Sequence, residues 1–158
     1  MNWVAQLPRI VLKPGCKYCV PVGTKASRYF SSSPTLPPDV AFEELQQNLT
    51  DEKVMLIDVR TSKELNRYGK IPKSKNIGLF ILGTHLLLPE VEFESQLGFK
   101  KPALDEPVIV SCLAGVRART AQLAMIGAGY KNVRVYVGSF EDWLEKGGPV
   151  EYFEEPQS

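Results

Sequence analysis

An α/β domain, built on a central mostly parallel sheet flanked by helices, is the fold that this sequence predicts. Two short runs, Val54–Val59 and Val108–Ser111, are almost continuously apolar, as strands covered on both faces must be. Segments with helical spacing alternate with those runs, the order that generates parallel neighbours through crossover helices. Gly69, Gly98, Gly129 and Gly147 fall where such segments should stop.

The first element is a short helix around Phe42 to Asn48, with Phe42 and Leu45 on one face. The strand Val54–Val59 follows. Thr61-Ser62-Lys63-Glu64 has the spacing of a capping box, so a helix should start there and run to about Arg67. Pro72 keeps Ile71 to Ile77 extended. Between residues 79 and 100 the pattern is weak, except that Pro89 suits the start of a helix through Phe93 and Leu97, closed by Gly98. After the strand Val108–Ser111, a helix from Arg117 presents Ala121, Ala124, Met125 and Ala128. A strand Val133–Val137 comes next. The last helix is expected over Phe140 to Lys146, with Ser139 as its N-cap and Phe140, Trp143 and Leu144 as its apolar face.

The chain has 158 residues, enough for one domain with some extra chain. Its net charge is only +1, so no global basicity points to nucleic acid, and no apolar run is long enough to span a bilayer. Charge is nonetheless uneven. Residues 1–38 hold Arg9, Lys13, Lys17, Lys25 and Arg28 and no acid, leaving 14 basic against 18 acidic residues beyond them, a net of −4. A basic, acid-free, hydroxyl-bearing leader is the composition of a mitochondrial transit peptide, expected here over 1–30 with cleavage after Phe30. The matrix is then the expected location, and the cytosol if the leader does not function. A Ser/Pro linker occupies 31–38, the folded domain 39–153 and a short tail 154–158.

Cys112 is where chemistry is expected. It ends a strand, precedes the short loop Leu113-Ala114-Gly115-Val116, and is followed by Arg117 and a helix. That order puts a sulfur at the mouth of a ring of backbone amides and at a helix N-terminus, both of which favour an anion. An ordinary cysteine, with a pKa of about 8.5, is mostly protonated at neutral pH. The strand ending Asp58-Val59-Arg60 should bring further charge to the same sheet edge, where ligands of open α/β sheets bind. The bland reading of Cys112 is inert packing at a strand end. Cys16-Lys17-Tyr18-Cys19 lacks a preceding strand and a second ligand pair, and with His85 as the lone histidine no metal, nucleotide or flavin motif is present. No cofactor is expected.

From about Val40 to Tyr152 the chain resembles a rhodanese domain of the single-domain, mitochondrial thiosulfate-sulfurtransferase-like branch. The resemblance lies in Asp58-Val59-Arg60 with Glu64, Gly69-Lys70-Ile71-Pro72 and Asn76-Ile77. It continues in Phe99-Lys100-Lys101-Pro102, Cys112-Leu113-Ala114-Gly115-Val116-Arg117, Gly129-Tyr130-Lys131-Asn132-Val133, Gly138-Ser139-Phe140-Glu141-Asp142-Trp143 and Gly147-Gly148-Pro149-Val150. It implies a three-layer α/β fold and sulfur transfer through a persulfide on Cys112. The donor would be thiosulfate or glutathione persulfide, and the acceptor cyanide, sulfite, glutathione or a protein thiol. The amides of Leu113 to Arg117 would cradle the sulfur, and Arg117 would attract the donor. Arg60 would either do the same or pair with an acid such as Glu64. Asp58 would hold the loop through hydrogen bonds, while Lys70 and Arg119 are read as solvated surface.

Departures from the family pattern carry expectations of their own. Leu113 stands where many active members have arginine or lysine, so thiosulfate turnover should be modest and a bulkier or less charged donor preferred. On that account Leu113→Arg should lower the KM for thiosulfate. A phosphatase of similar fold needs five residues between cysteine and arginine, and only Leu113, Ala114, Gly115 and Val116 intervene. The rival that is not an enzyme is a catalytically weak binding or persulfide-carrier module.

Overall fold

The structure, a computed structural model, describes residues 36–153. The expected transit peptide, its cleavage position, Cys16, Cys19, residues 31–35 of the linker and the tail lie outside the described residues. In chain order the elements are α1 (Phe42–Thr50), β1 (Met55–Asp58), α2 (Ser62–Tyr68), β2 (Lys75–Asn76) and α3 (Leu79–Leu86). Then come α4 (Glu90–Leu97), β3 (Val108–Ser111), α5 (Val116–Gly127), β4 (Val133–Val135) and α6 (Ser139–Glu145). The strands form one sheet in the order β2-β1-β3-β4, with all three pairings parallel.

Alternation along the strands divides the core into two layers. Ile57, Val110 and Val133 face α3, α4 and α5 through Leu82, Leu86, Phe93, Ala121 and Met125. Leu56 and Ile109 face α1 and α6 through Leu45, Phe140 and Trp143. Trp143 anchors the second layer: its ring centroid lies 5.0 Å from that of Phe42, and its Nε1 donates to the Pro149 carbonyl at 2.7 Å. Truncating it to alanine should cost about 3–5 kcal/mol.

The capping box forms as expected, with the Thr61 amide donating to Glu64 Oε2 at 2.9 Å and the Glu64 amide to Thr61 Oγ1 at 3.3 Å. Three elements depart from the sequence reading. The weakly patterned stretch contains a further helix, α3, whose residues Leu79-Phe80-Ile81-Leu82 are apolar on every side and so show no stripe. Pro89 is the N-cap of α4 rather than its first residue. Gly138, not Ser139, holds the N-cap position of α6, and Ser139 is the first helical residue with φ +53°.

Candidate active site

The register pairs Asp58 of β1 with Ser111 of β3, so both strands end at one level of the sheet. Alternation then turns the Cys112 side chain toward the α3/α5 layer, alongside Val110. The residue is 1% exposed, so the sulfur lies on the floor of the loop rather than at its mouth, where the sequence had placed it.

One amide of the expected ring, that of Gly115, donates to the Cys112 Sγ at 3.1 Å. Gly115 is also the N-cap of α5, so the positive end of a 12-residue helix is aimed at the sulfur. Only glycine serves at this position. Its φ is +91°, and an added Cβ would stand 2.0 Å from the Val137 carbonyl oxygen.

A second holding group comes from α6. The Cys112 amide donates to Ser139 Oγ at 3.0 Å, and that hydroxyl donates to the Tyr136 carbonyl at 2.8 Å. The same oxygen lies 3.9 Å from the sulfur. The amides of Phe140 and Glu141 donate to the carbonyls of Cys112 and Leu113 at 3.1 and 3.0 Å. The loop is therefore stitched to the first turn of α6. Sequence reasoning gave Ser139 a helix-capping role and missed this one. The signal was a serine beside Gly138 in the loop after a neighbouring strand, which parallel pairing brings to the same sheet edge.

Arg117 does not stand free. Its Nη1 and Nη2 donate to the two carboxylate oxygens of Glu64 at 2.9 and 2.6 Å. Those bonds, with help from Thr61, hold the Glu64 carboxyl down at about 2, from an ordinary 4.5, and raise the Arg117 guanidinium further. Arg60 takes the second of its expected roles, pairing with an acid, but the acid is Asp58 rather than Glu64. It is fully buried on the α1/α6 side, with Nε and Nη2 on Asp58 Oδ2 at 2.9 and 2.7 Å, Nη2 on the Gly69 carbonyl at 3.0 Å, and its guanidinium 4.0 Å from the Phe140 ring centroid. The Asp58 carboxylate accepts from Arg60, not from the loop. Burial pushes its carboxyl up against the pull of that guanidinium. Residue parity explains why the two pair with each other and not with Glu64 or the loop: positions 58 and 60 point to the face opposite Cys112.

The side chain of Leu113 packs against the α1/α6 layer, so it is not aimed at the sulfur, whereas Ala114 is exposed and Val116 is 78% exposed. Lys70 and Arg119, read as solvated, each meet a carboxylate, Glu151 at 3.0 Å and Asp39 at 2.7 Å. Among the described residues no group of three His, Cys, Asp or Glu side chains converges on a metal-sized site. The arrangement is suited to a small sulfur nucleophile, held by backbone groups that can carry negative charge on an atom added to it.

Residues 41–146 match the sequence model of the rhodanese-like domain. A yeast protein (Saccharomyces cerevisiae) named thiosulfate sulfurtransferase RDL2, mitochondrial, is 42% identical over 62% of this chain and 65% of its own length. A human protein named thiosulfate:glutathione sulfurtransferase is 34% identical over 69% of this chain and 95% of its own. The solved structure of the human single-domain sulfurtransferase TSTD1 superposes with a TM-score of 0.68 at 30% identity, covering 72% of this chain and all of that one.

Proposed function

Because the chain belongs to the rhodanese-like domain family, we propose that it is a sulfurtransferase that carries sulfane sulfur as a persulfide on Cys112. The Cys112 thiolate attacks the outer sulfur of thiosulfate, the bond to the inner sulfur breaks, and that bond's electron pair leaves with sulfite. Glutathione persulfide can replace thiosulfate, glutathione thiolate then being the leaving group. A second nucleophile, glutathione, cyanide, sulfite or a protein thiol, attacks the terminal sulfur and restores the thiolate.

The observation that carries this reading is the Gly115 amide 3.1 Å from the Cys112 sulfur at the N-terminus of α5. An amide and a helix dipole aimed at one sulfur favour a negative charge there before and after transfer. The 1% exposure of Cys112 is what inert packing at a strand end would also give, and uptake of sulfur at this residue separates the two readings. The names of the yeast and human relatives support thiosulfate as donor and glutathione as acceptor. The basic leader and the mitochondrial name of the yeast relative support a mitochondrial, matrix location.

Intact mass after exposure to thiosulfate tests the half-reaction. The parent should gain one sulfur, lose it to cyanide or a thiol, and Cys112→Ser should gain none. A parent that never gains sulfur overturns the reading. Steady-state turnover, compared with the Cys112→Ser background, separates an enzyme from a passive carrier module.

A further inference from the structure

Attack of a thiolate on thiosulfate gathers three negative charges in one place, of which two leave with sulfite and one stays on the new persulfide. Attack on the outer S–H of a protonated glutathione persulfide gathers only one at the reacting sulfurs. The first reaction needs an uncompensated cation far more than the second.

Around Cys112, the described residues supply little of that. Arg117 closes the loop, but its charge is paired with Glu64, each terminal nitrogen donating to one carboxylate oxygen. Arg60 is on the other face of the sheet, locked to Asp58, and Arg119 is turned to Asp39. Nor is Glu64 a loose surface partner. Its carboxylate is fixed from behind by the Thr61 amide and hydroxyl, at 2.9 and 2.8 Å, as part of the cap of α2. A carboxylate built into a helix cap thus presents itself to the loop arginine in a set place.

Resting on the sulfurtransferase reading, we propose that Glu64 is a specificity-determining residue that cancels Arg117 and biases the site against thiosulfate in favour of less charged persulfide donors. Glu64→Gln isolates the charge, because glutamine also serves at this position of a capping box. kcat/KM for thiosulfate and for glutathione persulfide is measured on the full chain, parent and variant, at low and high salt.

The ratio of thiosulfate to persulfide efficiency should rise about tenfold in Glu64→Gln at low salt, and the gain should shrink at high salt. A loss of stability alone would lower both efficiencies together and leave their ratio in place. Glu64→Ala, which also breaks the cap, should raise the ratio in the same direction. A ratio that stays within about twofold of the parent, or falls, in either folded variant overturns the proposal. If Cys112 takes up sulfur from neither donor in any of these proteins, the sulfurtransferase reading itself fails. If it takes up sulfur and the ratio does not move, only the role of Glu64 fails.

Discussion

Ser139 holds Cys112 by its main chain: the serine hydroxyl accepts the cysteine amide hydrogen at 3.0 Å while donating its own to Tyr136 at 2.8 Å. Both residues are buried, so removing that hydroxyl strands an amide with no water to replace its partner. Ser139→Ala should lose about 1–3 kcal/mol of stability and about tenfold in turnover. Ser139→Gly should lose as much turnover but be the more stable of the two by about 1 kcal/mol, because glycine accepts the positive φ of this position without strain. Thermal unfolding and kcat on both variants check the pair of expectations.

Gly115→Ala meets two obstacles at once, a φ of +91° and a Cβ 2.0 Å from a backbone oxygen that cannot swing aside. Destabilisation of about 3 kcal/mol or more is expected. Because the same shift moves the amide away from the sulfur, persulfide loading by thiosulfate should fall as well. Denaturant midpoints and intact mass measure the two effects separately.

Asp58 and Arg60 form a buried ion pair, and breaking it leaves a buried charge alone. Asp58→Asn should cost about 3–5 kcal/mol, while replacing both residues together by Leu and Met should recover most of the loss. Register and the stacking of Arg60 over Phe140 put both side chains on the face of the sheet opposite Cys112. The folded double variant should therefore still take up sulfur from thiosulfate. Its failure to do so while folded would contradict that placement.

Leu113, the position where a cation was expected to matter, is packed against the α1/α6 layer, and Ala114 beside it is exposed. Leu113→Arg must pull a side chain out of the α1/α6 layer, so a stability loss of about 1–3 kcal/mol should dominate, with the KM for thiosulfate little changed. Ala114→Lys puts a cation on the exposed position of the loop and should lower that KM several-fold, an effect weakened by salt. Initial rates across donor concentration at two ionic strengths decide between the positions.

The Glu64 carboxyl is depressed to about 2 from an ordinary 4.5. A carboxyl lowered on folding stabilises the fold above its unfolded value and loses that contribution as pH falls toward the folded value. Parent and Glu64→Gln should thus differ in stability at neutral pH, and the gap should close as pH falls from 4.5 toward 2. Urea midpoints along that range give the difference directly.

Much of the fold could be read from local pattern. The strand Val108–Ser111 matches in both bounds, the Thr61–Glu64 box caps α2, and Gly98 closes α4 in the left-handed region. Each of these depends on neighbours a few residues apart, where spacing and backbone sterics decide the outcome. α3 escaped because a helix apolar on all sides carries no periodic contrast. At the site, Cys112, the glycine that turns its loop, and the helix behind it were legible because they are contiguous in the chain.

The partners of those residues were not legible. Arg117 meets Glu64 from 53 residues away and Cys112 meets Ser139 from 27, and several carboxylates and hydroxyls were equally available by composition. Strand register and side-chain parity made the choice, carrying Asp58 and Arg60 to one face of the sheet and Cys112 to the other. Covalent order thus settled where the candidate nucleophile and its turn must lie, while packing across the sheet settled which charges lie near it, because a contact between distant segments is set by how layers seat against each other.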